Sequence, residues 1–369
     1  MEQSGQTASA GGNIKPINRQ SIHRICSGQV ILDLATAIKE LVENALDAGA
    51  TNIEVRLREY GSAMVEVADN GRGVPPADYQ ALTLKYHTSK ITSFDDLTSV
   101  NTYGFRGEAL SSLCAVSELS VVTRTADQAA GVRLEYDHEG LLTKQSPTPR
   151  AVGTTVAVKN LFATMPVRHK EFLRNLKRDF ARAVAVLQAY ALIATHARLI
   201  VTNQAGKATA RTTVFTTTAP AAELAALRDN VVAVFGGKQL HSVVVRLSPR
   251  LSIFVLILYP SPVRSWVSRA GCGLRGDASR QFFFLNGRPV DLPKAARILN
   301  DSFKSLSSPA HAAACRPMAV VAVNLAASDV DVNVTPDKRR VFMAAEDRLC
   351  SLLQQVIGRI VVAAAARPG

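Results

Sequence analysis

Residues 33–49, DLATAIKELVENALDAG, constrain this chain more than any other segment, because their pattern is satisfied by a helix with two different faces. Asp33 stands where an N-terminal cap accepts a free amide, and Gly49 stands where a helix C-terminus takes a left-handed residue. At about 100° per residue, Leu34, Ala37, Ile38, Leu41, Val42 and Ala45 cover one broad apolar face, which belongs against a core. On the other side Asp33, Thr36, Glu40, Asn44 and Asp47 share a stripe about 80° wide that holds no Lys or Arg. Carboxylates and an amide aligned without a counter-charge suit a hard cation, which takes oxygen ligands, and a water whose proton a carboxylate accepts. Taken in isolation, a merely solvated polar face is the simpler reading of the stripe.

The segments that follow alternate between strand and helix patterns. Asn52–Glu59 and Ala63–Ala68 alternate apolar and polar residues around Tyr60-Gly61-Ser62, which predicts a hairpin. The second strand runs into Asp69-Asn70-Gly71-Arg72-Gly73, where Asx and Gly tolerate positive φ and let a ligand approach the backbone; a plain tight turn explains the same residues. A short helix is predicted over Ala77–His87, followed by Thr88-Ser89-Lys90. In Gly104-Phe105-Arg106-Gly107, two glycines bracket an arginine just before a helix over Glu108–Val116, an arrangement that can aim backbone amides at a phosphate. Strands are expected at Leu119–Thr123 and Thr154–Lys159, then an amphipathic helix over His169–Ala194. From Lys159 to Arg182 there are seven basic and two acidic residues, which reads as an exposed basic edge. The Thr/Ala-rich stretch Ala208–Asp229 is the expected domain boundary. Beyond it, strands at Ser242–Leu247, Ser252–Tyr259, Arg280–Leu285 and Ala319–Asn324, with helices at Pro293–Phe303 and Glu346–Ala366, make a second α/β unit.

Several function classes drop out. A chain of 369 residues with 47% hydrophobic and 20% charged positions is globular and long enough for two cores. The most apolar run, Ala181–Val201, is interrupted by Arg182, Gln188, His196 and Arg198, so no membrane span is expected. Met1–Gly12 has neither a basic nor an apolar region of a secretory signal and reads as a disordered tail. Five widely spaced cysteines without a Cys-x-x-Cys fit a reducing compartment. Residues 271–276 satisfy G-x-G-x-x-G but lead into a strand pattern, and no P-loop motif occurs. Charge is informative: residues 1–150 carry 14 Lys/Arg against 18 Asp/Glu, whereas residues 151–369 carry 29 against 12. Either a polyanion such as nucleic acid partners the second part, or the excess serves solubility.

Three motifs in order, Glu40-Leu-Val-Glu-Asn44 running on to Ala50, Asp69–Gly73, and Gly104-Phe-Arg-Gly-Glu-Ala-Leu110, resemble the MutL family of DNA mismatch-repair ATPases within the GHKL superfamily. Ile25–Gln29, Arg168–Phe172 and Gln281–Leu285 are similar to the eukaryotic postmeiotic-segregation branch of that family. The resemblance covers about residues 14–360. It implies an α+β chain: a GHKL ATPase domain, an α/β sandwich with a mixed sheet, over 14–215, and a ribosomal-protein-S5-like transducer domain over 225–369, after a disordered tail at 1–13.

Carried over by motif position, the resemblance implies ATP and Mg²⁺ as ligands. Glu40 becomes the general base, Asn44 the Mg²⁺ ligand, and Asp69 the acceptor for the adenine amino group, with Gly73 giving the base room. Gly104, Phe105, Arg106 and Gly107 become part of a phosphate-binding lid with Lys90 nearby, and Gly153, Thr154 and Thr155 complete the adenine pocket. Asp331–Lys338 matches the loop that sends a lysine, here Lys338, to the γ-phosphate. Sequence-independent DNA binding is expected from Arg168, Lys170, Arg174, Lys177 and Arg178. The implied function is slow ATP hydrolysis driving a conformational and dimerisation switch in mismatch repair, in the nucleus, with the other major MutL homologue as heterodimer partner and no membrane. A paralogue that binds DNA or protein without turnover is the alternative, and a histidine kinase is a weaker one. Larger family members continue into a nuclease domain; this chain ends at Gly369, which implies a fragment or a short paralogue without nuclease activity.

Overall fold

The computed structural model describes residues 16–91, 96, 102–206, 210–218, 223–237, 243–246, 264–268, 274–275, 280–305, 307–344, 346–347, 349–351 and 354–355. The expected tail at 1–13, the strand Ser252–Tyr259 and most of the last helix lie outside these residues.

Helix α1 spans Arg19–Val30 and α2 spans Leu34–Asp47. Asp33 caps α2: its Oδ1 accepts the Thr36 N–H and the Thr36 hydroxyl, each at 2.8 Å. Two strands follow, β1 (Asn52–Arg58) and β2 (Met64–Asp69), and then α3 (Ala109–Val116). Strands β3 (Glu118–Arg124), β4 (Gly131–Tyr136), β5 (Leu142–Thr148) and β6 (Gly153–Lys159) come next. Helices α4 (Pro166–Arg174) and α5 (Leu176–Ile193) lead to β7 (Arg198–Gln204) and β8 (Thr212–Thr216). The eight strands form one mixed sheet in the order β5-β4-β3-β6-β2-β1-β7-β8, in which β1 and β7 are parallel and the other neighbours antiparallel. Alternate strand residues such as Ile53, Val55, Val65, Val67 and Val121 meet Leu34, Ile38 and Leu41 of α2, Leu113 of α3 and Leu187 of α5 in one core.

The second unit contains α6 (Glu223–Phe235), β9 (Val243–Arg246), β10 (Arg264–Ser268), a short β11 (Leu274–Arg275), β12 (Gln281–Leu285) and β13 (Arg288–Val290). Helices α7 (Pro293–Ser305) and α8 (Pro309–Ala314) precede β14 (Cys315–Arg316) and β15 (Ala319–Val323), and a last small pair is β16 (Val330–Asp331) with β17 (Phe342–Met343). The larger sheet runs β13-β12-β15-β10-β9. Strand β12 is apolar on both sides because both sides are covered. Phe282 and Phe284 pack in one cluster with Leu192 of α5 and Val231 of α6, while Phe283 and Leu285 pack in another with Leu299 of α7. The first of these clusters joins the two units through α5.

The structure departs from the sequence expectations in several elements. No α-helix covers Ala77–His87; 3₁₀ turns occupy Pro76–Asp78 and Ala81–Thr83 instead. Gln80 and Thr83 donate side-chain hydrogen bonds to the Gly140 carbonyl, at 3.0 and 2.7 Å, so tertiary contacts override the local pattern. The long helix expected over His169–Ala194 is two helices, broken at Asn175, whose side-chain amide donates back to the Glu171 carbonyl at 3.1 Å. Elements that the sequence pattern does not mark include α1, β4, β5, β7 and β10, and the stretch Ala208–Asp229, expected as a boundary, carries β8 and the start of α6. Among the described residues no helix is long and apolar enough to cross a membrane.

Asp33 closes the N-terminus of the helix that carries the candidate site. Asp33→Ala is expected to lower unfolding stability by about 1 kcal/mol, read as a shift of the urea midpoint by circular dichroism; an unchanged midpoint would show that the cap is dispensable.

Candidate active site

Helix α2 forms the floor of a cavity of about 550 Å³. Its lining includes Glu40 and Asn44 from α2, Asp69 and Gly73 from the turn after β2, Lys90, Gly104–Gly107, Thr154 from β6 and Lys338 from the second unit. Thus eleven of the thirteen nucleotide-site residues named from the sequence line one space. Gly153 and Thr155 do not line it: Gly153 supports the wall behind Asp69, and Thr155 lies within β6, paired with Ala68.

The deep end of the cavity is a cluster of buried charges. Lys39 Nζ donates to Glu40 Oε1 at 3.0 Å and to Glu43 Oε2 at 2.9 Å. Lys338 Nζ sits 3.3 Å from both Glu40 carboxylate oxygens and 3.4 Å from Glu43 Oε2. All four side chains are buried. The Tyr190 hydroxyl of α5 donates to Glu43 Oε1, and the Arg288 guanidinium lies 4.0 Å from that oxygen. Burial alone would push the Glu40 carboxyl up, but the ammonium groups of Lys39 and Lys338 hold it well below the usual carboxylate range. Burial, reinforced by Glu43, pushes the Tyr190 phenol far up, so it acts here as a neutral donor.

The expectation of a carboxylate stripe without counter-charge is therefore corrected. Lys39 lies just outside the stripe on the helical wheel, yet its long stem brings the ammonium back to Glu40, and Lys338 arrives from a segment 298 residues away. At the other end of the stripe, Lys90 Nζ donates to Asn44 Oδ1 at 3.0 Å and to Asp47 Oδ2 at 2.6 Å. Asp47 also accepts the N–H groups of Tyr103 and Gly104, at 2.9 and 3.0 Å. The Gly104 amide thus faces Asp47.

Residues 104–107 bridge the two units. Arg106 Nη2 donates to Asn333 Oδ1 at 2.6 Å, in the loop that carries Lys338, and Phe105 is buried with the Lys338 ammonium 5.6 Å from its ring centre. Gly107 has φ +62°, and a Cβ there would fall 2.4 Å from the His87 carbonyl oxygen.

At the shallow end, Asp69 Oδ1 accepts N–H groups of Gly71 at 2.8 Å and Thr154 at 3.2 Å. Burial pushes this carboxyl up, against the opposing pull of those two amides and of Arg150. Gly73 has φ +77°, and a Cβ there would come within 2.2 Å of the Arg124 carbonyl oxygen, so only glycine fits.

Of the proposed DNA contacts, Lys170, Arg174, Lys177 and Arg178 are exposed. Arg168 is not part of that set: its Nη1 donates to the carbonyls of Gly28 and Ile31, at 2.6 and 3.1 Å, and its guanidinium stacks on Phe162. It pins the end of α1.

Sequence reasoning missed Lys39, Glu43, Tyr190 and Arg288. Lys39 and Glu43 form an i,i+4 pair, which is a legible signal. Nothing local marks Tyr190 or Arg288, because Tyr190 meets Glu43 only when α5 packs on α2 and Arg288 only when the second unit docks.

A mixed sheet with helices on one face and a cavity floored by an acidic helix defines a GHKL-type ATPase domain. Residues 32–154 match the model of histidine kinase-, DNA gyrase B-, and HSP90-like ATPases, and residues 261–361 match that of the DNA mismatch repair protein, C-terminal domain. The chain belongs to the MutL family of DNA mismatch-repair proteins, in its eukaryotic PMS1/PMS2-type branch, and comprises an ATPase domain followed by a transducer-like domain. It is 44% identical over 355 residues to the DNA mismatch repair protein PMS1 of Arabidopsis thaliana, covering 96% of this chain and 37% of that protein. It is likewise 44% identical over 352 residues to the mismatch repair endonuclease PMS2 of Homo sapiens, covering 92% of this chain and 40% of that protein. The chain therefore spans about two fifths of the length of these relatives. A crystal structure of the N-terminal domain of a DNA repair protein superposes with a TM-score of 0.79 at 34% identity, covering 94% of this chain and all of that one. The ATPase domain of Aquifex aeolicus MutL complexed with ADP shares the fold, with a TM-score of 0.52 at 22% identity, covering 79% of this chain and 91% of that one.

The charge cluster has a testable pH signature. Because the folded value of Glu40 lies below its ordinary 4.5, its ionisation supports the fold fully above that pH and the support disappears as pH falls toward the folded value. Lys39→Met removes the strongest opposing charge, so the acid-side loss of stability should become shallower, while stability at neutral pH falls by about 3–5 kcal/mol through the broken buried pair. Urea midpoints between neutral and acid pH measure both effects, and an unchanged acid slope would remove Lys39 from this role.

Proposed function

We propose that this chain binds ATP with Mg²⁺, hydrolyses it slowly, and uses the cycle to switch domain arrangement and dimerisation in mismatch repair. The observation that carries the reading is Lys338: a buried cation from the second unit lies on Glu40 within the cavity that also holds Asp69. One end of the cavity suits adenine, whose amino group can donate to Asp69; guanine presents a carbonyl at that edge. The other end is lined by cations and suits phosphates.

The donor set fits Mg²⁺, because Asn44 Oδ1 and Asp47 Oδ2 already converge on a cation, the Lys90 ammonium. Bound there, the metal would neutralise phosphate charge and order the polyphosphate. Glu40 orients a water against the γ-phosphate and takes its proton. Lys338 and Lys39 hold the proton affinity of Glu40 down, which makes it a poor base. A γ-phosphate competes for the Lys338 ammonium, which weakens its hold on Glu40 and raises the basicity of that carboxylate when ATP is present. ADP offers no such group, so only ATP would add a γ-phosphate contact to Lys338 in the docked arrangement, which is the differential affinity a switch requires.

The proposed domain division is 14–215 for the ATPase domain and 225–369 for the transducer. Family membership supports nuclear localisation, the other major MutL homologue as partner, and dimerisation through the N-terminal region as parts of this reading. Exposed Ile22 and Ile25 on α1 support the last. Sequence-independent DNA binding rests on the basic excess of residues 151–369 and on the exposed side chains of α4 and α5.

Glu40→Ala should retain ATP binding while phosphate release falls by about 10²–10⁴-fold, measured by single-turnover hydrolysis beside equilibrium titration. Equal loss of binding and turnover would reject Glu40 as the base, and no phosphate release by the unaltered protein would favour a non-hydrolysing interaction module. For DNA, reversing Lys170, Arg174, Lys177 or Arg178 singly should weaken binding to all sequences alike and flatten the dependence of log K on log salt by about one unit each. Binding indifferent to salt would refute this surface.

A further inference from the structure

We infer that Arg150 is a positioning residue for base selection: its guanidinium ties together the two backbone segments that aim Asp69 into the cavity. The inference rests on the reading of Asp69 as the acceptor for the adenine amino group, and it assigns the device that makes that acceptor selective.

Arg150 lies in the connection between β5 and β6, outside the cavity lining. Its Nη2 donates to the Asp69 carbonyl at 2.9 Å and its Nε to the Gly153 carbonyl at 3.2 Å. Its own carbonyl accepts from Arg124 Nη1 at 3.0 Å, which fixes it from the neighbouring strand end. The two carbonyl segments are pressed together: Gly153 has φ +127°, and a Cβ there would fall 2.1 Å from the Asp69 carbonyl oxygen. Arg150 ties the two segments at this contact with two fixed donors of one planar guanidinium, which a lysine, as a point charge, cannot offer.

The consequence reaches the ligand in one step. Thr154, the residue after Gly153, donates its N–H to Asp69 Oδ1, and Gly71 donates to the same oxygen. Both donors converge on one oxygen, which leaves the other as the acceptor for a base. If the Asp69 and Gly153 segments part, the Thr154 bond lengthens, the carboxylate can rotate, and the acceptor loses its fixed direction. Discrimination between an amino group and a carbonyl depends on that direction, because a misaligned carboxylate rejects guanine less and favours adenine less.

The test uses the full chain and binary complexes, so that turnover plays no part. Dissociation constants for ADP and GDP are measured by calorimetry for the unaltered protein, Arg150→Ala, Arg150→Lys and Asp69→Asn. Arg150→Ala should reduce the preference for ADP over GDP about tenfold, and Arg150→Lys should reduce it similarly although it keeps the charge. If the alanine variant fails to fold, the lysine variant decides. A purely structural role would weaken both nucleotides equally and leave their ratio intact, which would overturn the inference. If Asp69→Asn loses the preference while both Arg150 variants keep it, the positioning role alone fails. If Asp69→Asn keeps the preference, the adenine reading fails and this inference with it.

Discussion

Two carboxylates inside a protein must be paired, and the structure is arranged around doing that for Glu40 and Glu43. Leaving either one unpaired in a buried site costs several kcal/mol, roughly the size of a domain's whole margin of stability. Lys39 meets part of the need from the same helix. The remainder comes from elsewhere: Tyr190 from α5, then Lys338 and Arg288 from the second unit. The relative placement of the two units is thus tied to the protonation and ligand state of the cavity. A ligand that draws Lys338 away from Glu40 changes the energy of the docked arrangement directly, without a relay of side chains.

A second set of contacts ties the segment 102–107 into the same arrangement. Asp47 holds the amides of Tyr103 and Gly104 from below. From above, Arg288 donates to the carbonyls of Thr102 and Tyr103, each at 2.9 Å, while the Tyr103 hydroxyl donates to the Gly287 carbonyl at 3.1 Å. Gly287, at φ +77°, forms the β12–β13 turn with Asn286, so a two-residue hairpin of the second unit presses on this segment. Arg288 therefore touches both the segment and the Glu43 cluster, and segment order and carboxylate pairing rise or fall together.

What the sequence disclosed follows a physical division. Features carried by one element were legible: the α2 cap, its apolar face, the polar stripe, and the turn glycines whose φ only glycine adopts easily. So was the clustering of motifs, since Glu40, Asp69, Gly104 and Lys338 line one cavity. What stayed hidden depends on distant partners. Of the stripe's counter-charges, Lys39 lies on the same helix, but Lys338 and Lys90 come from distant segments that no helical wheel can show. Arg168 reads as one more base in a basic run, but the Gly28 and Ile31 carbonyls claim it. The 3₁₀ turns at 76–83 replace a helix because Gly140, some sixty residues on, accepts from their side chains.

Lys338 stands on a different core from Glu40, and the proposed slow, gated reaction depends on that placement. If Lys338 stood on α2, its distance to Glu40 would be set by one helix and would be nearly constant. Standing on the second unit, in a left-handed backbone position at φ +56° that holds its side chain at one angle, it approaches only when that unit docks. Docking in turn requires Arg106 on Asn333 and Arg288 on Thr102 and Tyr103. Each of these contacts is polar, with a charged member that water would solvate well if the segments parted, so each adds little net energy. The apolar cluster around Phe282 and Phe284 joins the units independently of them, and in the proposed cycle a γ-phosphate acts on the polar contacts alone. In that reading Lys338 serves two ends: with Lys90 and Arg106 it attracts the polyphosphate, and against Glu40 it holds the base in check.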